Sequence, residues 1–204
     1  MPDSTAGKPR RKGKRAAIIA AAVKEFQERG FLETSMDRIA ETAQVSKRTV
    51  YNHFPSKEEL FQSIVTELLD RCGHLEVPEP NADSPIKDQL MAVGRCYAEL
   101  MTSDDFIKLS RVVLSRFIQS PGLVGSAITG QEPQQPILEW FEAAQQRGLL
   151  PHFDNVQATK EFTGLINATE FWPKLISNEQ LPGDEARERY LDSIASMFLN
   201  HYAP

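Results

Sequence analysis

Apolar side chains recur along this chain at spacings of three and four, the interval that gathers them on one face of a helix. Ala16, Ile19, Ala20, Val23 and Phe26 make the first such stripe, and Gly30 ends it. Met36, Ile39, Ala40 and Ala43 repeat the pattern at i, i+3, i+4 and i+7, which predicts a short helix over 36–43. A second short helix is expected from Ser46 to Phe54, with Val50 and Phe54 facing inward over Val45. Leu60, Phe61, Ile64, Val65, Leu68 and Leu69 then line a longer helix from Ser56 to about Cys72. After a Pro-rich hinge, Val77–Pro85, nothing alternates as a strand would. Helices are expected there at about 84–101, 104–119, 121–130, 133–147, 155–176 and 184–202. The last carries Tyr190, Leu191, Ile194, Met197, Phe198 and Tyr202 on a wide stripe, and the one before it Ala158, Phe162, Leu165, Ile166, Thr169 and Trp172. The pattern predicts an all-α protein: a basic flexible tail over 1–12, a small head with a linking helix over 13–72, and a larger helical body over 73–204.

Polar residues mark where these helices start and stop. Thr34 or Ser35 is placed to cap the helix at 36, and Asp37 in its first turn suits the positive end of the helix dipole. Gln44-Val45 turns the chain and Ser46 caps the next helix. Pro55 stops that helix, and Ser56 with Glu59 forms a capping box for the one after. Asp104 and Asp154 are further N-caps, Gly148 marks a helix end, and Trp172-Pro173 should kink or end its helix. Two short helices at a sharp turn, then a third, is the order in which a protein lays one helix in a DNA groove while another braces it. The outward face of the 46–54 helix holds Arg48, Thr49 and Asn52, which suit base edges, while Tyr51 and His53 flank it toward the phosphate walls. Lys47 lies in the first turn, the part that enters the groove. Lys57 opposes its own helix dipole, a cost that becomes an attraction if a phosphate docks there.

These residues resemble the TetR family of bacterial transcriptional regulators. The shared elements are Thr34/Ser35, Ile39-Ala40, Ala43-Gln44-Val45-Ser46, Tyr51-Asn52-His53-Phe54 and the run from Pro55 to Phe61. The resemblance implies a three-helix helix-turn-helix head. It also implies backbone contacts from Ser35, Thr49, Tyr51, His53 and Lys57, with Lys47, Arg48 and Asn52 as base readers; Thr34 and Ser46 complete the candidate DNA-facing set. One departure stands out: Gln44 occupies a position where the family most often has Gly, because the turn favours a left-handed backbone. Further implications are a double-stranded, pseudo-palindromic operator, a homodimer formed by the last two helices, and a small apolar or aromatic effector bound in the body. Candidate effector-lining residues are Tyr97, Met101, Phe106, Leu109, Val113, Phe117, Trp140, Phe141, Phe162, Ile166 and Trp172, with Arg116, Asn167 and Glu170 as polar anchors. The segment from Phe162 through Phe171-Trp172-Pro173-Lys174-Leu175 to Tyr202 resembles the AefR-like subgroup.

Composition fits this picture. The net charge of −5 divides into +6 over the first 57 residues and −11 over the rest, a basic head on an acidic body. The run Lys8–Arg15 has six cations in eight positions; it is either a solvated tail or an arm that trails onto phosphates or into a minor groove. The apolar run after it, Ala16–Val23, is too short for a secretory signal and passes directly into Lys24-Glu25. No run is long enough to span a membrane. Cys72 and Cys96 form no C-x-x-C, and the four histidines fall in no ligand pair, so neither a metal, a cofactor nor a disulfide framework is expected. A reduced bacterial cytoplasm fits. An enzyme would need a nucleophile with a base, or a carboxylate and histidine cluster, and no segment supplies one. A module that keeps the head but docks a protein partner would bind DNA weakly and without sequence preference.

Overall fold

The computed structural model describes residues 8–122 and 133–203, with side chains from Gly13 onward. The described residues form ten α-helices: α1 Lys8–Arg29, α2 Met36–Thr42, α3 Lys47–His53, α4 Lys57–Gly73, α5 Ile86–Thr102, α6 Asp104–Gln119, α7 Gln135–Gln146, α8 Asn155–Thr169, α9 Phe171–Ser177 and α10 Asp184–Tyr202. The all-α expectation is met. The helix expected over 121–130 lies outside the described residues, apart from a turn at 121–122. The basic run is helical from Lys8, so α1 takes in part of the segment expected to be a flexible tail. Two compact units result, one holding 8–68 with 108–122, the other 69–107 with 133–203. The division falls at 68/69, and it assigns most of α6 to the first unit, which a linear boundary at 72/73 does not.

In the first unit, α1 buries Ile18, Ile19, Ala21, Ala22, Val23 and Phe26. Ala16 and Ala20, expected on that face, are exposed, so the buried surface is rotated from the expected stripe. Ile39 and Ala40 of α2, Val50 of α3 and Leu60, Phe61, Ile64 and Val65 of α4 complete the core. Val50 is fully buried, and each such side chain contributes on the order of 1.5–3 kcal/mol. Aromatic rings extend the core: Phe26 to Phe31 at 5.2 Å, Phe31 to Phe61 at 5.5 Å and Phe61 to Phe117 of α6 at 6.3 Å. The last contact explains why α6 belongs here. Phe31 also carries two cations over its ring, Lys57 Nζ at 4.6 Å and the Arg116 guanidinium at 4.5 Å from the centroid.

In the second unit, α10 packs on α5 across Gly94. A Cβ at Gly94 would sit 3.0 Å from Leu191 Cδ2, so the small residue sets the approach of the two helices. Phe141 stacks on Phe198 at 5.0 Å, with Phe162 edge-on to both. The Pro-rich stretch after α4 is pinned. Gln89 bonds Asn81 N, Asn81 O and Ser84 O, while Trp140 Nε1 donates to Pro78 O at 2.9 Å and Arg147 donates to Pro80 O. The helix expected over 155–176 is broken at Glu170, whose φ of −100° and ψ of −54° separate α8 from α9. The Pro173 ring, with no N–H to give, cannot continue the helical ladder back to Thr169, which accounts for the break. Asp154 Oδ1 accepts from Val156 N and Gln157 N as the N-cap of α8. Gly148, at φ +71°, closes α7, as its sequence position implied.

Candidate nucleic-acid interface

The turn between α2 and α3 is held by backbone geometry. Ser35 Oγ accepts from Arg38 N at 3.2 Å, so Ser35 is the cap of α2. At the other end Gln44 N donates to Glu41 O and Val45 N to Ala40 O, both at 3.0 Å. This paired closure requires a left-handed residue, and Gln44 supplies it with φ +53°. The turn is therefore the one a glycine would make, carried instead by a residue with a Cβ. Ser46 Oγ then accepts from Thr49 N at 3.2 Å and lies 2.8 Å from Thr49 Oγ1, capping α3.

With Val50 and Phe54 buried, α3 presents its other face outward. Ser46, Lys47, Arg48, Tyr51 and Asn52 are exposed, and Thr49 and His53 are half-buried at its margins. Lys47 Nζ meets Asp37 Oδ2 of α2 at 2.5 Å. That hydrogen bond, with the carboxylate's charge behind it, raises the Lys47 pKa. Arg15 of α1 covers the Phe54 ring at 5.2 Å, so a cation of the basic run braces α3 from behind.

Two members of the expected contact set lie elsewhere. Thr34 is 1% exposed, and its hydroxyl bonds Gly30 O at 2.8 Å and Glu25 O at 3.2 Å. It fastens the end of α1, and its side chain is not on the surface. Lys57 Nζ donates to Phe31 O, Leu32 O and Thr34 O at 2.6, 3.0 and 2.8 Å. Those three carbonyls use all three of the ammonium's donors, so the cation placed unfavourably for its own helix clamps the α1–α2 connection.

Glu25 was missed in the sequence. It is 4% exposed, accepts from Thr42 Oγ1 at 2.5 Å, and lies 3.3 Å from Arg29 Nε and 3.8 Å from Arg38 Nε. This carboxylate joins α1 to α2 at the root of the turn. Its one sequence signal is an acid one position before Phe26, inside the broader buried face that a strict stripe does not predict.

Comparison with known proteins agrees with this geometry. Residues 18–64 match the bacterial regulatory proteins of the tetR family, and residues 88–204, more than half the chain, match the AefR-like transcriptional repressor C-terminal domain. The chain belongs to the TetR family. It is a DNA-binding transcriptional regulator and not an enzyme. A TetR family transcriptional regulator from Pseudomonas syringae pv. tomato is 35% identical, with a TM-score of 0.79 over 94% of this chain and 98% of that one. The Flavonoid-responsive Regulator FrrA is 26% identical, with a TM-score of 0.71 over 95% of this chain and 98% of that one. Among curated relatives, the uncharacterized HTH-type transcriptional regulator YhgD of Bacillus subtilis is 28% identical over 65% of this chain and 67% of its own. The HTH-type transcriptional regulator RutR of Escherichia coli is 42% identical over 57 residues, 28% of this chain and 27% of its own length.

The residues expected to line an effector site in this TetR protein fall into separate groups. Leu109, Val113, Arg116 and Phe117 belong to the first unit. There Arg116 Nη1 donates to Ser120 Oγ at 2.7 Å besides covering Phe31. In the second unit Met101, Phe106, Phe141, Phe162 and Ile166 are buried, with Phe106 edge-on to Phe171 at 6.1 Å. Tyr97 and Asn167 are brought together: Asn167 Nδ2 donates to Tyr97 Oη at 2.9 Å. Burial pushes the Tyr97 hydroxyl up to about 12, so it stays protonated near neutrality. Asn167 Oδ1 and Thr159 Oγ1, on either side of Thr163 along α8, are buried without a protein partner. Glu170 is tied to Arg187 by bonds of 3.1 and 2.9 Å, which cancels its charge. Trp172 is 44% exposed and lines no interior. Trp140 instead borders a cleft of about 490 Å³ with Leu75, Val77, Pro78, Pro80 and Pro136. Among the described residues no group of histidine, cysteine and acidic side chains could hold a metal, and no helix is long and apolar enough to cross a membrane. Cys72 and Cys96 are free thiols.

Proposed function

We propose that this regulator binds a pseudo-palindromic DNA operator as a homodimer in the bacterial cytoplasm and represses transcription until a small neutral effector loosens its hold. The observation that carries the reading is the outward face of α3. Lys47, Arg48, Tyr51 and Asn52 are exposed on a helix whose opposite face is fixed by Val50 and Phe54. Arg48 and Asn52 are the base readers, Arg suiting guanine O6 and N7 and Asn suiting adenine N6 and N7. Tyr51, Thr49, His53 and Ser35 suit the phosphates on either side. Two such helices must lie about one DNA turn apart, roughly 34–36 Å, to enter successive major grooves.

The dimer is supported by apolar side chains left uncovered on α8, α9 and α10: Leu165, Trp172, Ile176 and Met197. Helix pairs of this kind at a chain end join across a two-fold axis as a four-helix bundle. The effector's chemistry is supported by the second unit's interior, which is aromatic, has its acid neutralised by Arg187, and offers Tyr97 and Asn167 as uncharged polar groups. These favour a neutral aromatic molecule with its own hydrogen-bonding group. FrrA, by its name, responds to flavonoids, which have this character. An effector that binds better to one conformation of the body shifts the population away from the DNA-binding form, and α4, which runs through the division between the units, is the element to carry the shift.

Selection from a random DNA pool with the full-length protein tests the reading. A two-fold symmetric enriched sequence with half-sites one helical turn apart is the expected result; binding that is equal on all sequences rejects it. Repeating the measurement against a panel of hydroxylated aromatics should identify compounds that lower operator affinity, and Tyr97→Phe should reduce that response while leaving DNA binding in place.

A further inference from the structure

We infer that Asp37 is a specificity-determining residue of the DNA-reading surface: its carboxylate restrains Lys47 off DNA and accepts a hydrogen bond from a cytosine N4 amino group when the operator is bound. The inference rests on the proposed DNA reading of α3. Asp37 stands beside the first turn of α3, its carboxylate 2.5 Å from Lys47 Nζ, and both side chains are open to solvent, at 48% and 63% exposure. An acid at this place needs an explanation. Phosphates repel it, and it removes one unit of positive charge from the surface that must meet the duplex.

Structural need supplies only part of that explanation: in the first turn of α2 the acid suits the helix dipole, a small effect at an exposed position. An exposed ion pair contributes little to stability. The α2–α3 arrangement is already set by the buried Met36, Ile39, Ala40 and Val50 and by the left-handed closure at Gln44. The acid does have a use in the groove. A carboxylate accepts from cytosine N4; guanine and thymine offer it no major-groove donor, and adenine sets its N6 donor beside the N7 acceptor, which repels an acid. Where cytosine is present, Asp37 gains a donor and Lys47 is released to a phosphate or a guanine. Elsewhere the pair stays closed, and both the repulsion and the missing cation count against binding. The effect penalises random DNA more than the operator.

The experiment compares the wild-type protein with Asp37→Ala, Lys47→Gln and the double variant, each checked for an unchanged thermal melt, by selection from random DNA and by salt titration on operator and random duplexes. Asp37→Ala, which removes both the charge and the acceptor, should tighten binding to random DNA about 3- to 10-fold, steepen its salt slope by about 0.9 in log–log units, the share of one added phosphate contact, and lose the cytosine preference at one position per half-site. Lys47→Gln should keep that preference, and the double variant should lose it. An unaltered enriched sequence with Asp37→Ala overturns the inference, as does loss of the same base position with Lys47→Gln alone. Equal weakening of operator and random DNA by Asp37→Ala would leave the acid only a scaffold partner and also overturns it. If the wild-type protein enriches no sequence, the regulator reading fails with it, and that result is distinct from one in which only Asp37 proves indifferent.

Discussion

At the scale of single residues, Gln44 shows how a local cost is carried for a geometric purpose. A residue with a Cβ in the left-handed region costs roughly 1–2 kcal/mol, and glycine's greater freedom in the unfolded chain returns part of that. Gln44→Gly should therefore raise stability by about 0.5–1 kcal/mol, read as a higher urea midpoint with an unchanged slope, and leave the operator sequence as it was. The departure from glycine was legible in the sequence; that the turn would keep its left-handed form was not, because a rebuilt turn is equally compatible with the residues. In the proposed reading Arg48 is a principal base reader. Arg48→Ala should cost about 1–3 kcal/mol on the operator, relax one base position, and change random-DNA affinity much less. Equal losses on the two duplexes would remove it from the readers. Thr34 and Glu25 mark the limit of reading positions one at a time. Hydroxyls and carboxylates are surface groups by default, and only the close approach of α1 and α2 makes these two interior fasteners.

Helix existence and type followed from apolar spacing because the first-unit helices each need one buried face against the others. What the spacing could not give was the width and rotation of those faces, hence the exposed Ala16 and Ala20 on α1 and the exposed Trp172 beyond the break at Glu170. Nor could it give partners distant in sequence. The inclusion of α6 in the first unit depends on Phe117 meeting Phe61, and the order of the Pro-rich stretch depends on Gln89, Trp140 and Arg147. The start of α4 is the clearest example. Lys57 holds three carbonyls of the α1–α2 connection, so Lys57→Met, which keeps most of the stem but none of the donors, should lower stability by about 1–3 kcal/mol in a denaturant titration. It should weaken binding to all sequences by loosening the α2–α3 platform. An unchanged salt slope accompanies that outcome if the ammonium stays on the carbonyls; a slope flatter by about 0.9 would mean that it transfers to a phosphate on DNA.

The molecule as a whole pairs a basic reading head with an acidic helical body, a division of charge that is plain from the order of residues alone. The body's interior has a defined response to pH. Tyr97, ordinarily ionising near 10, is held protonated to about 12 by burial. Its contribution to stability is therefore complete below pH 10 and lost as the pH rises through 12. Burial likewise raises the Cys72 thiol to about 11, adding to the loss over the same alkaline range. Thermal melts between pH 9 and 12 should show a steep decline that Tyr97→Phe makes shallower, whereas a parallel decline in both proteins would place the sensitivity elsewhere. The two tryptophans, finally, occupy opposite surroundings: one gives its indole N–H to Pro78 O in the pinned stretch, the other stands open on α9. The chain thus contains two optical reporters that answer different questions. Iodide should quench emission from Trp172 strongly in dilute protein, and weakly at higher concentration if the proposed dimer covers α9, while Trp140 keeps its colour until the pinned stretch comes loose, so the proposed association and unfolding can be followed separately without attaching a dye.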